Sequence, residues 1–276
     1  MTTTTKFSLR GWWARRREGS LALELRKCCP PATVAAGQIP PAVRAAWAHQ
    51  APDEFPGLAV DSSAWLRCSL GLAQFFEACR LQREVGACAL PSKAADSVWH
   101  VWLKLDPTGL ADWQQRYFGR VVEHREADGL GAPVDECLAR TWVAACRSEG
   151  RSARAQRLPL VFGVDGQLGL PAGWAYAFER GRLVHRQIDG FGQPGAAAHE
   201  HAALTMAGLT ALGLLSAAEI EQLQRRRKGS DTSSGGSCGG SWSSLDAGGC
   251  DAGGCDAGSD GGGSSCGSSC GGGGGD

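Results

Sequence analysis

A sharp change of composition near residue 229 limits what this 276-residue chain can fold into. Residues 229–276 consist almost entirely of glycine, serine, aspartate and cysteine, and apolar residues are scarce there. Such a segment buries too little apolar surface to offset the entropy lost on ordering, so we expect it to be disordered. The folded body must therefore form before this point, where every tryptophan except Trp242 lies.

The body carries the hydrophobic periodicity of amphipathic helices. Asp61 is a predicted N-cap, and after it apolar residues recur at the 3.6-residue spacing of one helix face. A second helix is predicted over "PSKAADSVWHVWLKL", with Ser92 as its N-cap, and a third over "GLADWQQRYFG", ending at Gly119. "PVDECLARTWVAACRSEG" is a fourth, and an Ala-rich helix is expected near residues 198–213.

The pattern changes between residues 158 and 192. "LPLVFGVDGQLGLP" fits a short helix or a buried strand, whereas "WAYAFERGRLVHRQI" alternates around a Glu-Arg-Gly-Arg turn. The predicted fold class is therefore mainly α: a multi-helix globular body with a small β-hairpin, followed by a disordered Gly/Ser/Cys tail. We divide the chain into an N-terminal helical or irregular segment (residues 1–57), a helical core domain (58–228) and the tail (229–276).

Charge and hydropathy narrow the class of partner. The formal net charge is zero, but all 28 lysines and arginines lie at or before Lys228 and do not cluster as in a nucleic-acid footprint. The longest apolar run, residues 202–218, is too rich in Ala, Gly and Thr to span a membrane. With no targeting segment evident, we expect a cytoplasmic protein with reduced thiols, and a protein partner rather than a nucleic acid.

One acid and two histidines form the candidate site. Asp96 and His100 are four residues apart on a predicted helix, so their side chains share a face. His124 lies just past the next helix, where an antiparallel helical hairpin brings it back toward Asp96. The three side chains suit a divalent transition metal such as Zn²⁺. In the alternative interpretation Asp96 merely orients His100, and His124 satisfies the last carbonyls of a helix.

No sequence pattern identifies a reaction. Residues 1–228 contain no Gly-x-Ser-x-Gly, Walker A or HExxH pattern, and no third residue completes a catalytic triad with Cys88 and His100. The leading hypothesis is a non-enzymatic binding or scaffold module, and enzymatic activity is left open. The alternative is a metal-binding protein or metal-dependent enzyme using Asp96, His100 and His124.

The stretch "LPSKAADSVWHVWLKL…YFGRVVEH" resembles the hallmark of the glycine-rich domain-containing protein-like family, in its bacterial branch with a Cys/Gly-rich tail. The resemblance implies that the acid and the two histidines are a deliberate set, without implying an activity. Many members carry Trp-His-x-His, and here Trp102 stands in the place of the second histidine. The matching positions are Pro91, Ser92, Asp96, Trp99, His100, Gly119, Arg120 and His124.

The tail adds a third hypothesis. Its cysteines are embedded in glycine and serine, as in precursors whose Cys and Ser residues are converted to azoles, and as in soft-metal tails. A low-complexity extension without specific chemistry explains the same composition. The tail thiols are Cys238, Cys250, Cys255, Cys266 and Cys270.

Deleting residues 230–276 is expected to leave the thermal midpoint of unfolding nearly unchanged, because the tail lacks apolar periodicity and carries like charges. Scanning calorimetry of the full chain and the truncated chain measures this difference. A midpoint lowered by many degrees would show that the tail docks on the body and that the boundary is misplaced.

Overall fold

The structure is a computed structural model that describes Lys27 and residues 29–221. The chain divides into two units, Met1–Ser216 and Ala217–Asp276. In the second unit the described residues, 217–221, are helical. The disorder that we predict for residues 229–276 lies outside the described residues, and the fold below is that of the first unit.

Helices dominate the described part of the first unit and confirm the predicted fold class there. A three-stranded antiparallel sheet in the order β1-β2-β3 accompanies them. The helices are α1 (Pro30–Ala36), α2 (Pro41–Glu54), α3 (Ser62–Leu81), α4 (Lys93–Leu105), α5 (Pro107–Phe118), α6 (Val134–Ser148), α7 (Leu160–Leu168) and α8 (Met206–Ala211). The strands are β1 (Trp174–Glu179), β2 (Arg182–Gln187) and β3 (His199–Glu200), and short 3-10 helices cover Ala127–Gly129 and Ala202–Leu204.

Helix α3 is the centre of the unit and is buried from Cys68 to Cys79. It packs against α1, α4, α6 and α7. The predicted N-cap is confirmed, because an Oδ1 of Asp61 accepts a hydrogen bond from the Ala64 amide at 2.8 Å. A helix that is apolar on nearly every side must be enclosed by others, and this explains the layered helical body.

Helices α2 and α4 lie side by side and run parallel. Trp47 Nε1 donates to Ser97 Oγ at 2.8 Å, and Lys104 Nζ donates to Glu54 Oε2 at 3.3 Å. The two residues of each pair are 50 positions apart in the sequence. Moving seven residues along α2 therefore moves the contact seven residues in the same direction along α4, which shows that the helices are parallel. This register brings Glu54, the last residue of α2, beside His100 and Lys104 in the second half of α4.

Aromatic rings hold the α4–α5 hairpin against α3. The ring centroid of Phe76 lies 4.8 Å from Trp99, 5.7 Å from Trp113 and 5.7 Å from Phe118. Core packing is therefore the role of these rings, and the edge-to-face pairs that Phe76 makes with Trp99 and Trp113 add to the energy of burial.

The predicted β-hairpin is confirmed. Trp174 pairs with Gln187 and Glu179 pairs with Arg182, which leaves a two-residue turn. Arg180 and Gly181 form this turn with φ values of 48° and 78°. Two residues with positive φ are what a tight hairpin turn requires, because its twist then matches that of the strands.

The Ala-rich segment differs from the prediction of one helix over residues 198–213. It begins with β3, continues as a 3-10 turn and forms helix only over Met206–Ala211. The Thr205 hydroxyl accepts from the Gly208 amide at 3.0 Å and so starts a new helix. "LPLVFGVDGQLGLP", which fits helix or strand by sequence, contains helix α7.

The described helices were compared with the requirements for spanning a membrane. Among Lys27 and residues 29–221, no helix combines the length and the hydropathy that spanning a bilayer requires.

One buried carboxylate joins three elements. Asp165 of α7 is 1% exposed and accepts hydrogen bonds from the Ser92 hydroxyl at 2.6 Å and from the Trp174 amide at 3.0 Å. It also accepts from the amides of Lys93 at 3.1 Å and Ala94 at 3.0 Å, at the start of α4. Burial raises the pKa of Asp165, while these four donors act in the opposite direction.

Replacing Asp165 by alanine is expected to lower the free energy of unfolding by about 3–5 kcal/mol, because it strands buried donors on two elements. Asp112→Ala, at an exposed position on α5, is the control and should change the same quantity by less than about 0.5 kcal/mol. Urea denaturation measures both. A loss below about 1 kcal/mol for Asp165→Ala would contradict the assigned role.

Candidate metal site

Helix α4 carries two of the three candidate ligands. Asp96 and His100 are four residues apart, and His100 Nε2 lies 3.3 Å from Asp96 Oδ2. The predicted N-cap is confirmed, because the Ser92 hydroxyl accepts from the Ala95 amide at 3.0 Å. Since Asp165 binds the amides that follow Ser92, the start of the helix is fixed and so is the direction of both side chains.

His124 reaches α4 from the segment after α5. Gly119 ends α5 with φ of 70°, as predicted, and the Val122 amide donates to Gln114 Oε1 at 2.7 Å. The chain thereby turns back toward α4. The His124 ring then packs edge-on against Trp99, with centroids 4.7 Å apart. This contact holds the imidazole beside the face that carries Asp96 and His100.

The three side chains meet at one point. His100 Nε2 and His124 Nε2 are 2.9 Å apart, and His124 Nε2 is 3.1 Å from Asp96 Oδ1. His100 Nε2 lies 3.3 Å from the other carboxylate oxygen, Asp96 Oδ2, and one donor atom from each residue lies within 4.8 Å of the others. We call these three side chains the triangle. Ligands about 2.0–2.1 Å from a tetrahedral ion lie about 3.3 Å from one another, so the three closest separations are near those between metal ligands.

The cluster is accessible to solvent on one side. The side chains of His100, His124 and Asp96 are 11%, 23% and 26% exposed. A cation could therefore enter without opening the core, and three protein ligands would leave positions for water or another ligand.

A fourth residue, Glu54 at the end of α2, completes the cluster. One of its carboxylate oxygens contacts His100 Nδ1, and the other accepts from Lys104 Nζ at 3.3 Å. Because a carboxylate only accepts, Nδ1 of His100 carries a proton and Nε2 of the neutral ring is a bare acceptor. Carboxylates orient metal-bound histidines in this way in many proteins.

Hydrogen bonding within the cluster follows from that tautomer. Nε2 of His100 and the Asp96 carboxylate are both acceptors, and both face Nε2 of His124. His124 Nε2 therefore carries the proton that the two acceptors share. The triangle thus holds one proton between His124 Nε2 and its two acceptors, and each of the three residues has an atom that can bind a metal ion.

Two pKa values reflect these contacts. The hydrogen bond to Asp96 raises the pKa of His124, with burial opposing it and the charges of Asp96, Glu126 and Glu54 adding to it. For Glu54, burial acts to raise the pKa, but the contacts with His100 and Lys104 outweigh it and the pKa is lowered. The cluster favours a charged His124 and an ionised Glu54.

The other motif residues of the sequence analysis lie around the hairpin. Pro91 and Trp99 are buried beside the start and the inner face of α4, and Gly119 is the C-cap of α5. Arg120 contributes to the environment of Cys88 rather than to the triangle. The pKa of Cys88 is lowered mainly by a hydrogen bond with Cys79, and the positive charges of nearby residues, Arg120 among them, lower it further. The tail thiols (Cys238, Cys250, Cys255, Cys266 and Cys270) lie outside the described residues.

The fold and the site define a mainly helical protein with a surface cluster of two histidines and one carboxylate. A family model described as UCP032817-like matches residues 52–198, more than half of the chain. The chain therefore belongs to the UCP032817-like family, whose description names no activity. No curated protein and no solved structure matches it.

This membership corrects the resemblance drawn from the motif. The matching family is UCP032817-like, so the assignment to the glycine-rich domain-containing protein-like family is wrong. The resemblance rested on eight positions of the motif, on the downstream segments "TWVAACRSEG" and "RLPLVFGVDGQLGLPAG" and on tail composition. A capped helix followed by an i, i+4 pair and a glycine stop is local geometry that unrelated helical chains can share.

Replacing Asp96 by asparagine is expected to lower the pKa of His124, because the hydrogen bond with the carboxylate is the largest cause of its elevation. In the wild type the protonated imidazole should therefore persist above pH 6.5, the ordinary value, and lose its proton at lower pH in the variant. NMR titration of the histidine rings in chelator-treated protein measures both values. Equal pKa values in the two proteins would contradict the assigned hydrogen bond.

Proposed function

We propose that this protein binds one divalent transition-metal ion through Asp96, His100 and His124. The observation that supports the proposal is the convergence of the three side chains. His124 Nε2 lies 2.9 Å from His100 Nε2 and 3.1 Å from Asp96 Oδ1, and His100 Nε2 lies 3.3 Å from Asp96 Oδ2. Side chains at these separations need to move little for one atom of each to become a ligand. The ion takes the place of the proton that His124 shares with the two acceptors.

The donor set favours zinc or another first-row ion over magnesium or calcium. Imidazole suits Zn²⁺, Fe²⁺ and related ions, whereas Mg²⁺ and Ca²⁺ prefer shells of oxygen ligands. Two histidines and one carboxylate also leave coordination positions open. A site of this composition can activate a bound water or bind a small anionic or neutral ligand.

Glu54 supports the same function as an outer residue. It binds the ring nitrogen of His100 that does not face the triangle, and Lys104 holds it in place. The ligating nitrogen is thus kept unprotonated and oriented before any ion arrives, which lowers the cost of binding.

The other hypotheses of the sequence analysis stay predictions. A non-enzymatic binding or scaffold module is compatible with metal binding, because a bound ion can organise a surface without a reaction. Modification of the tail cysteines concerns residues outside the described part of the chain. The converging side chains are a specific observation in favour of the metal site.

Zinc stoichiometry tests the proposal. Full-length protein with its accessible thiols alkylated is dialysed against Zn²⁺, and bound zinc is counted by plasma mass spectrometry. We expect His100→Ala to retain one equivalent less than the wild type, because one of three ligands is lost. Glu54→Gln should retain the stoichiometry but weaken affinity by about 10–100-fold.

His49→Ala is the matched control, because His49 is an exposed histidine on α2 and is not one of the candidate ligands. It should bind as much zinc as the wild type, and circular dichroism should show that all three variants are folded. Equal zinc content in wild type and His100→Ala would reject the proposal.

A further inference from the structure

Five of the six histidines of this chain belong to two clusters. His100 and His124 form the triangle with Asp96. The other three lie at the sheet: His185 on β2, His199 on β3 and His201 just after β3. His49 stands apart from both. The grouping at the sheet has no part in the proposed function.

The sheet cluster is a chain of hydrogen bonds that begins at α6. Asp135 Oδ1 lies 2.7 Å from His201 Nδ1, and His201 Nε2 lies 2.6 Å from His185 Nδ1. His201 and His185 are 7% and 5% exposed. The chain thus runs inward from a surface carboxylate through two enclosed imidazoles.

The Asp135 carboxylate determines which ring nitrogen of each histidine carries the proton. Since Asp135 accepts, His201 Nδ1 carries a proton, and Nε2 of the neutral ring is an acceptor. His185 Nδ1 must then donate to it, which leaves His185 Nε2 with a bare lone pair. A metal-binding histidine is commonly held by such a bond from its second ring nitrogen.

That lone pair is free of hydrogen bonds in the described part of the chain. His185 Nε2 has no hydrogen-bond partner among the described residues, and Trp102 Nε1 is the one fully enclosed side-chain nitrogen or oxygen without a partner in that part of the chain. Nε2 of His185 therefore keeps a small contact with solvent, within a residue that is 5% exposed. The Trp174 ring, edge-on at 4.9 Å, supports the imidazole from one side.

A second imidazole lies beside it. His199 is the cross-strand partner of His185, and the two rings stack with centroids 5.1 Å apart and planes 22° from parallel. His199 is exposed, so its ring can turn on its strand. Directly paired side chains on neighbouring antiparallel strands are close enough to bind one ligand together.

We infer that His185 and His199 form a second metal site, which binds a divalent transition ion between two strands. His201 and Asp135 are its positioning residues. The His199 ring turns from its stack until one of its nitrogens and Nε2 of His185 face the same ion. Solvent supplies the remaining ligands.

The donors define the ion class. Two neutral imidazoles favour Ni²⁺, Cu²⁺ or Zn²⁺, and they offer nothing to Mg²⁺ or Ca²⁺. This site differs from the triangle on α4, where a ligating carboxylate is present. The inference is independent of the proposed function, because the two sites share no residue.

Nickel binding to the full chain tests this site. Proteins with accessible thiols alkylated are equilibrated with Ni²⁺ by dialysis, and bound nickel is counted. We expect His199→Ala to bind one equivalent less than the wild type, and His49→Ala to bind the same amount as the wild type. His199 is exposed, so its loss should leave the fold intact, as circular dichroism will verify.

Asp135→Asn provides a second measurement, because it perturbs the relay without removing a ligand. It should keep the stoichiometry and raise the dissociation constant of the sheet site by about 10–100-fold. An unchanged constant would overturn the role of the relay. Equal nickel content in wild type and His199→Ala would overturn the site itself.

A double variant separates this inference from the proposed function: His199→Ala is added to the His100→Ala protein, and nickel binding is measured again. Loss of one equivalent on adding His199→Ala to that background supports the sheet site, whether or not His100→Ala alone changes binding. No loss on adding His199→Ala overturns the sheet site and leaves the triangle to be judged by its own variants.

Discussion

The carboxylate of Asp165 is the contact on which the position of the candidate site depends. It accepts hydrogen bonds from two amides at the start of α4, from the Ser92 hydroxyl and from the first amide of β1. Helix α4 is therefore fixed at its first turn to α7 and to the sheet. Because a helix is rigid along its axis, fixing the first turn also fixes Asp96 in that turn and His100 one turn later. Such a buried charge is tolerated because four donors replace the water it has lost.

Local chemistry explains what could be predicted from the sequence. Asp61, Ser92 and Gly119 act within a few residues of their positions, and each lies at the predicted helix end. The hairpin turn at Arg180 and Gly181 depends on two consecutive residues. The i, i+4 relation of Asp96 and His100 is also local. These features could be found without knowing how the elements pack.

The remaining contacts join residues that are far apart in sequence. Glu54 meets His100 across 46 residues, and Asp165 meets Ser92 across 73. Neither acid lies in a recognisable motif: Glu54 is the last residue of a helix that begins with Pro41, and Asp165 lies in a segment that fits helix or strand. The sequence pattern also predicts one continuous helix through Thr205, which is wrong. The Thr205 hydroxyl caps a new helix there and outweighs the run of helix-forming residues. Only the packing of whole elements determines such contacts.

The parallel contact of α2 with α4 has a thermodynamic consequence. The candidate ligands belong to α4 and the segment after α5, whereas the acid that orients His100 belongs to α2. Under the proposed function, the packing of α2 and the binding of the ion would therefore be linked equilibria. A molecule that bound the outer surface of α2 and shifted its packing would change the affinity for the ion, and the ion would change the affinity for that molecule by the same factor. The last turn of α2 would then influence the chemistry of α4 through Glu54 alone.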